Sequence, residues 1–345
     1  MKKITLNFYG LIVSIRSRLE HEVLDLLSKD FSFFSSQAES ECNLSFSLEI
    51  IEASPPMEMI PKVKATMQTI NSICYDVGNE RFCDYYSELL VILDKKTNQA
   101  KLFSKNRKKT HEVAYLLILS RIGKKMDLMG LHKLHAFSVS YKDMAIVCMM
   151  PMKGGKSTLL MEFLKDSRFK MISDDIPLIN QKGEVIPFPI KIGLSDKPIQ
   201  IEIKDPEINL YQMDRGQYGI KNLLCLNGIP GKIEGSNKIF KKIILIEAFR
   251  FNSPVSVLKD NSLPLIFIGV FKHGIIGFGL PMVIEYFWEN GIGDFFIKAK
   301  IFFQRLFAFS ILSIRADKKK LFLGRDPEDA KRVIVEYIER SLLGN

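Results

Sequence analysis

The run Met150-Pro151-Met152-Lys153-Gly154-Gly155-Lys156-Ser157-Thr158 follows directly on the apolar stretch Met144-Ala145-Ile146-Val147-Cys148-Met149. A buried strand that breaks into a tight turn and then starts a helix aims backbone N–H groups, and the positive end of the helix dipole, at one spot. A polyphosphate fits that spot, so Lys153, Gly154, Gly155, Lys156, Ser157 and Thr158 are the expected nucleotide-binding residues. Lys156 would reach the outer phosphates, and the Ser157 hydroxyl would complete the oxygen shell of a Mg²⁺. The pattern Gly-x-x-x-x-Gly-Lys-Ser/Thr asks for glycine where Met150 stands, so the turn must begin without that residue's conformational freedom. Gly154 and Gly155 are expected to compensate. Lys153 would either touch phosphate or point to solvent, and the bland alternative is an ordinary strand-to-helix loop.

Two acids follow at a spacing that matters. Leu159, Leu160, Phe163 and Leu164 recur at helical intervals, the chain turns at Asp166-Ser167, and a short strand over Phe169 to Ser173 ends in Asp174-Asp175. In an open parallel sheet a β-α-β unit brings both carboxyl strand ends to the same edge. The acids are therefore expected to face the phosphate loop. One of Asp174 and Asp175 would hold Mg²⁺ and the other would accept a proton from an attacking hydroxyl, as phosphoryl transfer requires. A solvated turn is the alternative.

Several segments together resemble a known family. His135-Ala136-Phe137-Ser138, then Gly-Lys-Ser-Thr, then Ile172-Ser173-Asp174-Asp175-Ile176-Pro177-Leu178 and Gly183-Glu184-Val185-Ile186-Pro187-Phe188-Pro189 look like the HPr kinase/phosphorylase-like group, and most of all its HprK-related kinases. The resemblance covers about residues 130 to 195, is diffuse before 130 and weak beyond about 250. It implies a phosphoenolpyruvate-carboxykinase-like P-loop core, ATP and Mg²⁺ as cofactors, Lys156 and Ser157 on the nucleotide phosphates and metal, and Asp174 or Asp175 as catalytic base. It also implies that His135 lies near the phosphate in transfer, where an imidazole orients or stabilises it. The loop departs from the family, which carries glycine at the positions of Met150 and Lys153 and a small polar residue at Met152. The downstream segment with which the bifunctional enzyme recognises its protein substrate and runs the reverse phosphorolysis is not found.

Composition sets the frame. The chain has 345 residues, 47% of them apolar and 26% charged, ordinary values for a folded protein long enough for two domains or one with an appendage. Lys and Arg outnumber Asp and Glu 49 to 39, for a net charge of +10, which favours anionic partners. The basic clusters, Lys105 to Lys109, Lys124-Lys125 and Lys318-Lys319-Lys320, are not interleaved with aromatics, so solvated faces are expected rather than a nucleic-acid groove. Cys42, Cys74, Cys83, Cys148 and Cys225 are too few and too widely spaced for a disulfide framework or zinc site and fit a reducing cytoplasm. The N-terminus has no signal-peptide pattern. In the apolar tract Leu263 to Leu312 the longest uncharged run, Gly274 to Ile284, is too short to span a bilayer.

Three sections are expected in a mixed α/β (α+β) protein: a β-rich N-terminal domain over 1–128, a nucleotide-binding core over 129–255 and a helical section over 256–345. Strands are predicted over Ile4 to Ile15, Leu44 to Ile51, Ser72 to Tyr75, Leu89 to Asp94 and Ala100 to Phe103, with Lys95 to Asn98 as a hairpin turn. Helices are predicted over Leu19 to Leu27 and His111 to Ile122. Further strands are predicted at Ile199 to Ile203 and Lys242 to Ala248, and Gly228 to Lys238 is either a lid or a plain connection. The closing helix, Pro327 to Leu342, is expected to be capped by Asp326. The function expected is transfer of the ATP γ-phosphate to a hydroxyl, of serine in a peptide or protein or of a small molecule. The alternatives are an ATPase, with water in place of the acceptor, and a scaffold that binds nucleotide without turnover. Homo-oligomerisation would follow the family's habit.

Overall fold

The computed structural model describes residues 2–17, 22–36, 44–194, 201–216, 219–277, 286 and 292–343. Cys42, the start of the Leu19 to Leu27 helix and the first half of the Ile199 to Ile203 strand lie outside them. The chain packs as two compact units, one from 1–125, 211–222 and 281–294 and the other from 126–210, 223–280 and 295–345.

The first unit holds β1 (Lys2–Phe8), β2 (Leu11–Ser17), β3 (Leu44–Ile51), β4 (Met67–Gln68), β5 (Ile73–Val77), β6 (Glu80–Asp84), β7 (Leu90–Asp94) and β8 (Gln99–Phe103) in one sheet of order β1-β2-β3-β8-β7-β6-β5-β4. The single strand predicted over Ile4 to Ile15 is instead a hairpin. Tyr9 and Gly10 both take positive φ, 55° and 92°, and Asn7 Oδ1 accepts the Gly10 N–H at 2.7 Å. A two-residue turn of that hand matches strand twist. The Lys95 to Asn98 turn is where it was expected, between β7 and β8. Two helices belong to this section, α1 (Glu22–Asp30) and α2 (Arg107–Leu128), the latter burying Val113, Leu117, Ile118 and Ile122. Cys74 and Cys83 face each other across β5 and β6 with their sulfurs 3.3 Å apart and no disulfide between them.

The second unit is built on β9 (Leu131–Lys133), β10 (Ala136–Tyr141), β11 (Met144–Met149), α3 (Lys156–Leu164), β12 (Phe169–Ser173), β13 (Leu178–Asn180), β14 (Val185–Ile186) and β15 (Ile192–Gly193). α4 (Pro206–Asn209) follows; β16 (Leu210–Asp214) and the start of β17 (Ile220–Leu224) fall in the 211–222 stretch of the first unit, and the second unit resumes with β18 (Lys242–Arg250), β19 (Val257–Asp260), α5 (Leu263–Val270), most of α6 (Ile292–Arg315), β20 (Asp317–Leu323) and α7 (Pro327–Leu343). Residues 201–203 carry no strand. The main sheet has the order β12-β10-β11-β18-β20-β19. All six β11 residues are buried, because the strand is covered on both faces, and such strands read as unbroken apolar runs. Ala145, Val147 and Met149 join Ile266, Val270, Phe309 and Leu312 in one core. On the α3 side, Phe163 meets Phe137 and Phe169 with ring centres 6.2 and 5.0 Å away.

Two features depart from the sequence reading. β10 lies between β11 and β12 and is antiparallel to both, so the unit is not a simple parallel β-α-β. β11 and β12 nevertheless point the same way. The C-terminal section is helical but returns two strands to the sheet, and β20 pairs parallel with β18. The basic run Lys318-Lys319-Lys320 lies in β20 rather than on a solvated face. Lys319 is buried, with its Nζ 3.9 Å from the Tyr337 ring centre, so its stem and charge are both used.

Candidate functional site

The loop after β11 starts without glycine because its first turn does not need one. Met150 is buried and keeps ordinary backbone angles, while the left-handed positions fall on Lys153 (φ 59°) and Gly155 (φ 102°). At Gly154 a Cβ would sit 2.8 Å from the Pro151 carbonyl oxygen, whose bond to the Gly154 N–H is 3.0 Å. The glycines are thus required by a positive φ at one position and a close approach at the next. Arg250, at the end of β18, reaches across to donate from Nε to the Gly154 carbonyl at 3.3 Å. Lys153 is exposed and Thr158 half-buried.

Lys156, the first residue of α3, turns inward. Its Nζ lies 2.7 Å from His135 Nε2, 3.5 Å from the Met150 carbonyl and 3.6 Å from Asp175 Oδ1. With the ammonium as donor, His135 Nε2 accepts. Asp175 Oδ1 also lies 3.2 Å from His135 Nε2. One nitrogen is therefore shared by two competing partners, and the buried Nδ1 has none.

The two acids differ in environment. The Ser173 hydroxyl accepts the Ile176 N–H at 3.1 Å, tightening the turn at the tip of β12 so that both project at the carboxyl edge. Asp174, 4% exposed, accepts from Ser157 Oγ and from the Gly193 N–H, each at 3.0 Å on Oδ2. Asp175 is 37% exposed. Its backbone oxygen accepts the Ala136 N–H at 3.1 Å, which ties β12's tip to β10.

A turn of π-helix over Phe271–Ile276 continues α5, and such turns often mark functional sites. The His273 carbonyl accepts the His135 N–H at 3.0 Å, and the two rings are 5.6 Å apart. Burial, helped by His135, Lys156 and Lys272, holds His273 down at about 4, so it is neutral at pH 7. Burial likewise pushes the Cys148 thiol up, which makes it an inert core group.

The structure thus brings His135, Lys156, Ser157, Asp174 and Asp175 together within hydrogen-bonding reach, and leaves Lys153 in solvent. Sequence reasoning missed Arg250, Gly193 and His273. Arg250 had a signal, a cation at the end of an apolar strand. His273 stood in plain view as an interruption of an apolar tract. Gly193 acts through its backbone N–H, which no side-chain pattern announces. Among the described residues no group of three His, Cys, Asp or Glu side chains would hold a metal ion, and no helix is long and apolar enough to cross a membrane. No protein-family model matches the chain, and no curated protein matches it.

Proposed function

We propose that this chain is an ATP- and Mg²⁺-dependent kinase of the HPr-kinase-like type, with a phosphoenolpyruvate-carboxykinase-like core, that transfers the γ-phosphate to a hydroxyl of a peptide, protein or small molecule. The observation that carries the proposal is the convergence, at one strand edge, of a glycine loop opening a helix, an inward lysine, a hydroxyl-bound buried carboxylate and a second carboxylate open to solvent. Ser157 Oγ and Asp174 are hard oxygen donors of the kind Mg²⁺ takes, alongside phosphate oxygens and water. The bound ion would supply charge neutralisation.

Lys156 exchanges its His135 contact for a phosphate oxygen, and the loop N–H groups cradle the chain of phosphates. Asp175 takes the acceptor hydroxyl proton as the new O–P bond forms and the bond to the departing ADP breaks. His135, released from Lys156, has its ring to place beside the moving phosphoryl group. Arg250 holds the loop by its Gly154 carbonyl and adds a second cation near the phosphates.

The test uses the purified full chain with Mg²⁺ and γ-labelled ATP, offered serine peptides, free amino acids and sugars. Label in an acceptor, lost in Asp175→Asn while ATP binding persists, supports the kinase. Inorganic phosphate as the sole labelled product would favour the ATPase. Absence of ATP binding would overturn both.

A further inference from the structure

In the first unit, the β5–β6 hairpin sets two thiols against each other. Gly78, at φ 55°, opens the two-residue turn between the strands, and a turn of that length closes on a hydrogen-bonded pair, here Val77 with Glu80. Pairs alternate along an antiparallel ladder, so Asp76–Arg81 and Cys74–Cys83 take the positions without mutual main-chain bonds. At such positions Cα atoms approach to about 4.5 Å, within the span of about 4.4–6.8 Å that a disulfide bridges. The two sulfurs lie 3.3 Å apart, and both side chains are fully buried. Neighbouring charge favours the reactive form. Arg81 and Asp76 stand two positions along on the same face, where Arg81 donates from Nε and Nη2 to Asp76 at 2.9 and 2.6 Å and Lys95 Nζ donates to it at 3.0 Å. Two cations against one carboxylate leave a surplus positive charge, the setting that stabilises a thiolate. Burial draws Arg81 down, but Asp76 and then the two cysteines hold it above its ordinary value. Access comes from the end of the sheet. β4, the end strand beyond β5, has two residues, one half-buried and one exposed, so little holds it over Cys74, which pairs with its Met67.

We propose that Cys74 and Cys83 form a reversible dithiol–disulfide site whose oxidant is a hydroperoxide. The sulfur of one thiolate attacks a peroxide oxygen, the O–O bond breaks, and the departing hydroxide takes up a proton and leaves as water. The resulting sulfenic acid meets the second sulfur without any rearrangement of the strands. The S–S bond forms, the S–O bond breaks, and a second water carries away the hydroxyl and the remaining thiol proton. Two thiols and one hydrogen peroxide thus give one disulfide and two waters, each sulfur losing one electron and the peroxide taking both. Attack by an external thiolate on the disulfide reverses the change. In a reducing compartment such a bond is transient and redox-sensing rather than structural. When formed, it ties β5 to β6 covalently and closes the route by which the hairpin opens. Cys148 offers no such chemistry, since burial pushes its thiol up and it sits in the core of the second unit. The inference stands independently of the kinase reading.

The test exposes the folded full chain to hydrogen peroxide, then unfolds it in N-ethylmaleimide and weighs the intact protein and its peptides. The reduced chain has five cysteines and should take up five maleimides. The oxidised chain should take up two fewer, with the peptides bearing Cys74 and Cys83 joined and two hydrogens lighter than their sum. Dithiothreitol before alkylation should restore the full uptake. Cys74→Ser and Cys83→Ser should each lose the cross-link, and the peptide map of the wild-type chain decides the matter even where a variant fails to fold. Full alkylation after peroxide overturns the inference. So does a cross-link that joins other cysteines, or conversion of Cys74 or Cys83 to sulfinic acid with no bond between them.

Discussion

Two clusters of buried polar groups in the second unit invite comparison. Around Asp127 both carboxylate oxygens are engaged. Arg305 donates from Nε and Nη2 to the two carboxylate oxygens at 2.9 and 2.6 Å and from Nη1 to the Gly274 carbonyl at 3.1 Å. His132 Nδ1 lies 2.9 Å from Asp127 Oδ1, and Gln181 Nε2 lies 2.6 Å from His132 Nε2. Burial pushes the Asp127 carboxyl up, but Arg305 and His132 outweigh it and hold it below the usual range. Around Lys156, by contrast, one imidazole nitrogen serves two partners, the other serves none, and one carboxylate is open to water. A satisfied network fixes a structure, whereas a site that retains unused hydrogen-bonding capacity is ready for a ligand.

The comparison breaks first at its structural half. Arg305→Met leaves Asp127 buried without its guanidinium, and chemical denaturation should show a loss of about 3–5 kcal/mol of stability. Lys156→Ala should do the reverse: turnover falls on the order of 10²–10³-fold, as for a lost charge-stabilising donor, while the denaturation midpoint barely moves. If Lys156→Ala unfolds the protein and Arg305→Met does not, the assignment of roles is inverted. Gly155→Ala places a side chain at φ 102° and 3.5 Å from Arg250 Nη2, so it should cost about 1–2 kcal/mol and weaken nucleotide binding measured by calorimetry.

The smallest effect concerns pH. His273 titrates near 4 in the folded chain against an ordinary value of 6.5, so between those values the unfolded chain binds more protons than the folded one. Its neutral burial therefore favours folding fully above about 6.5 and loses that contribution as pH falls toward about 4. Melting curves of wild type and His273→Asn, compared across that window, should converge at the acid end and separate above it. Parallel curves would show that His273 does not titrate there.

Much of the site was legible because phosphate chemistry needs particular residues at particular spacings. The loop, α3, β12 and the two acids lie in one continuous stretch, Met144 to Asp175, and local pattern reaches that far. β10 was harder, because Ala136 to Tyr141 contains two serines that hide a buried strand. β20 was missed because its lysines read as a solvated cluster, although Lys319 is buried against Tyr337. Arg250 reaches the loop, and His273 reaches His135, only through tertiary packing, which no spacing rule encodes. The β1–β2 turn was missed because Tyr9-Gly10 sits inside an apolar run, with only the glycine as signal.

The central claim is that Lys156, held by His135 in the free chain, is the ligand-seeking cation of a triphosphate site. A crystal structure with Mg²⁺ and a non-hydrolysable ATP analogue tests it most directly. The account predicts Lys156 Nζ on the outer phosphates, its 2.7 Å contact with His135 Nε2 broken, and the metal against Ser157 and Asp174. An analogue bound elsewhere, with Lys156 still resting on His135, would contradict it.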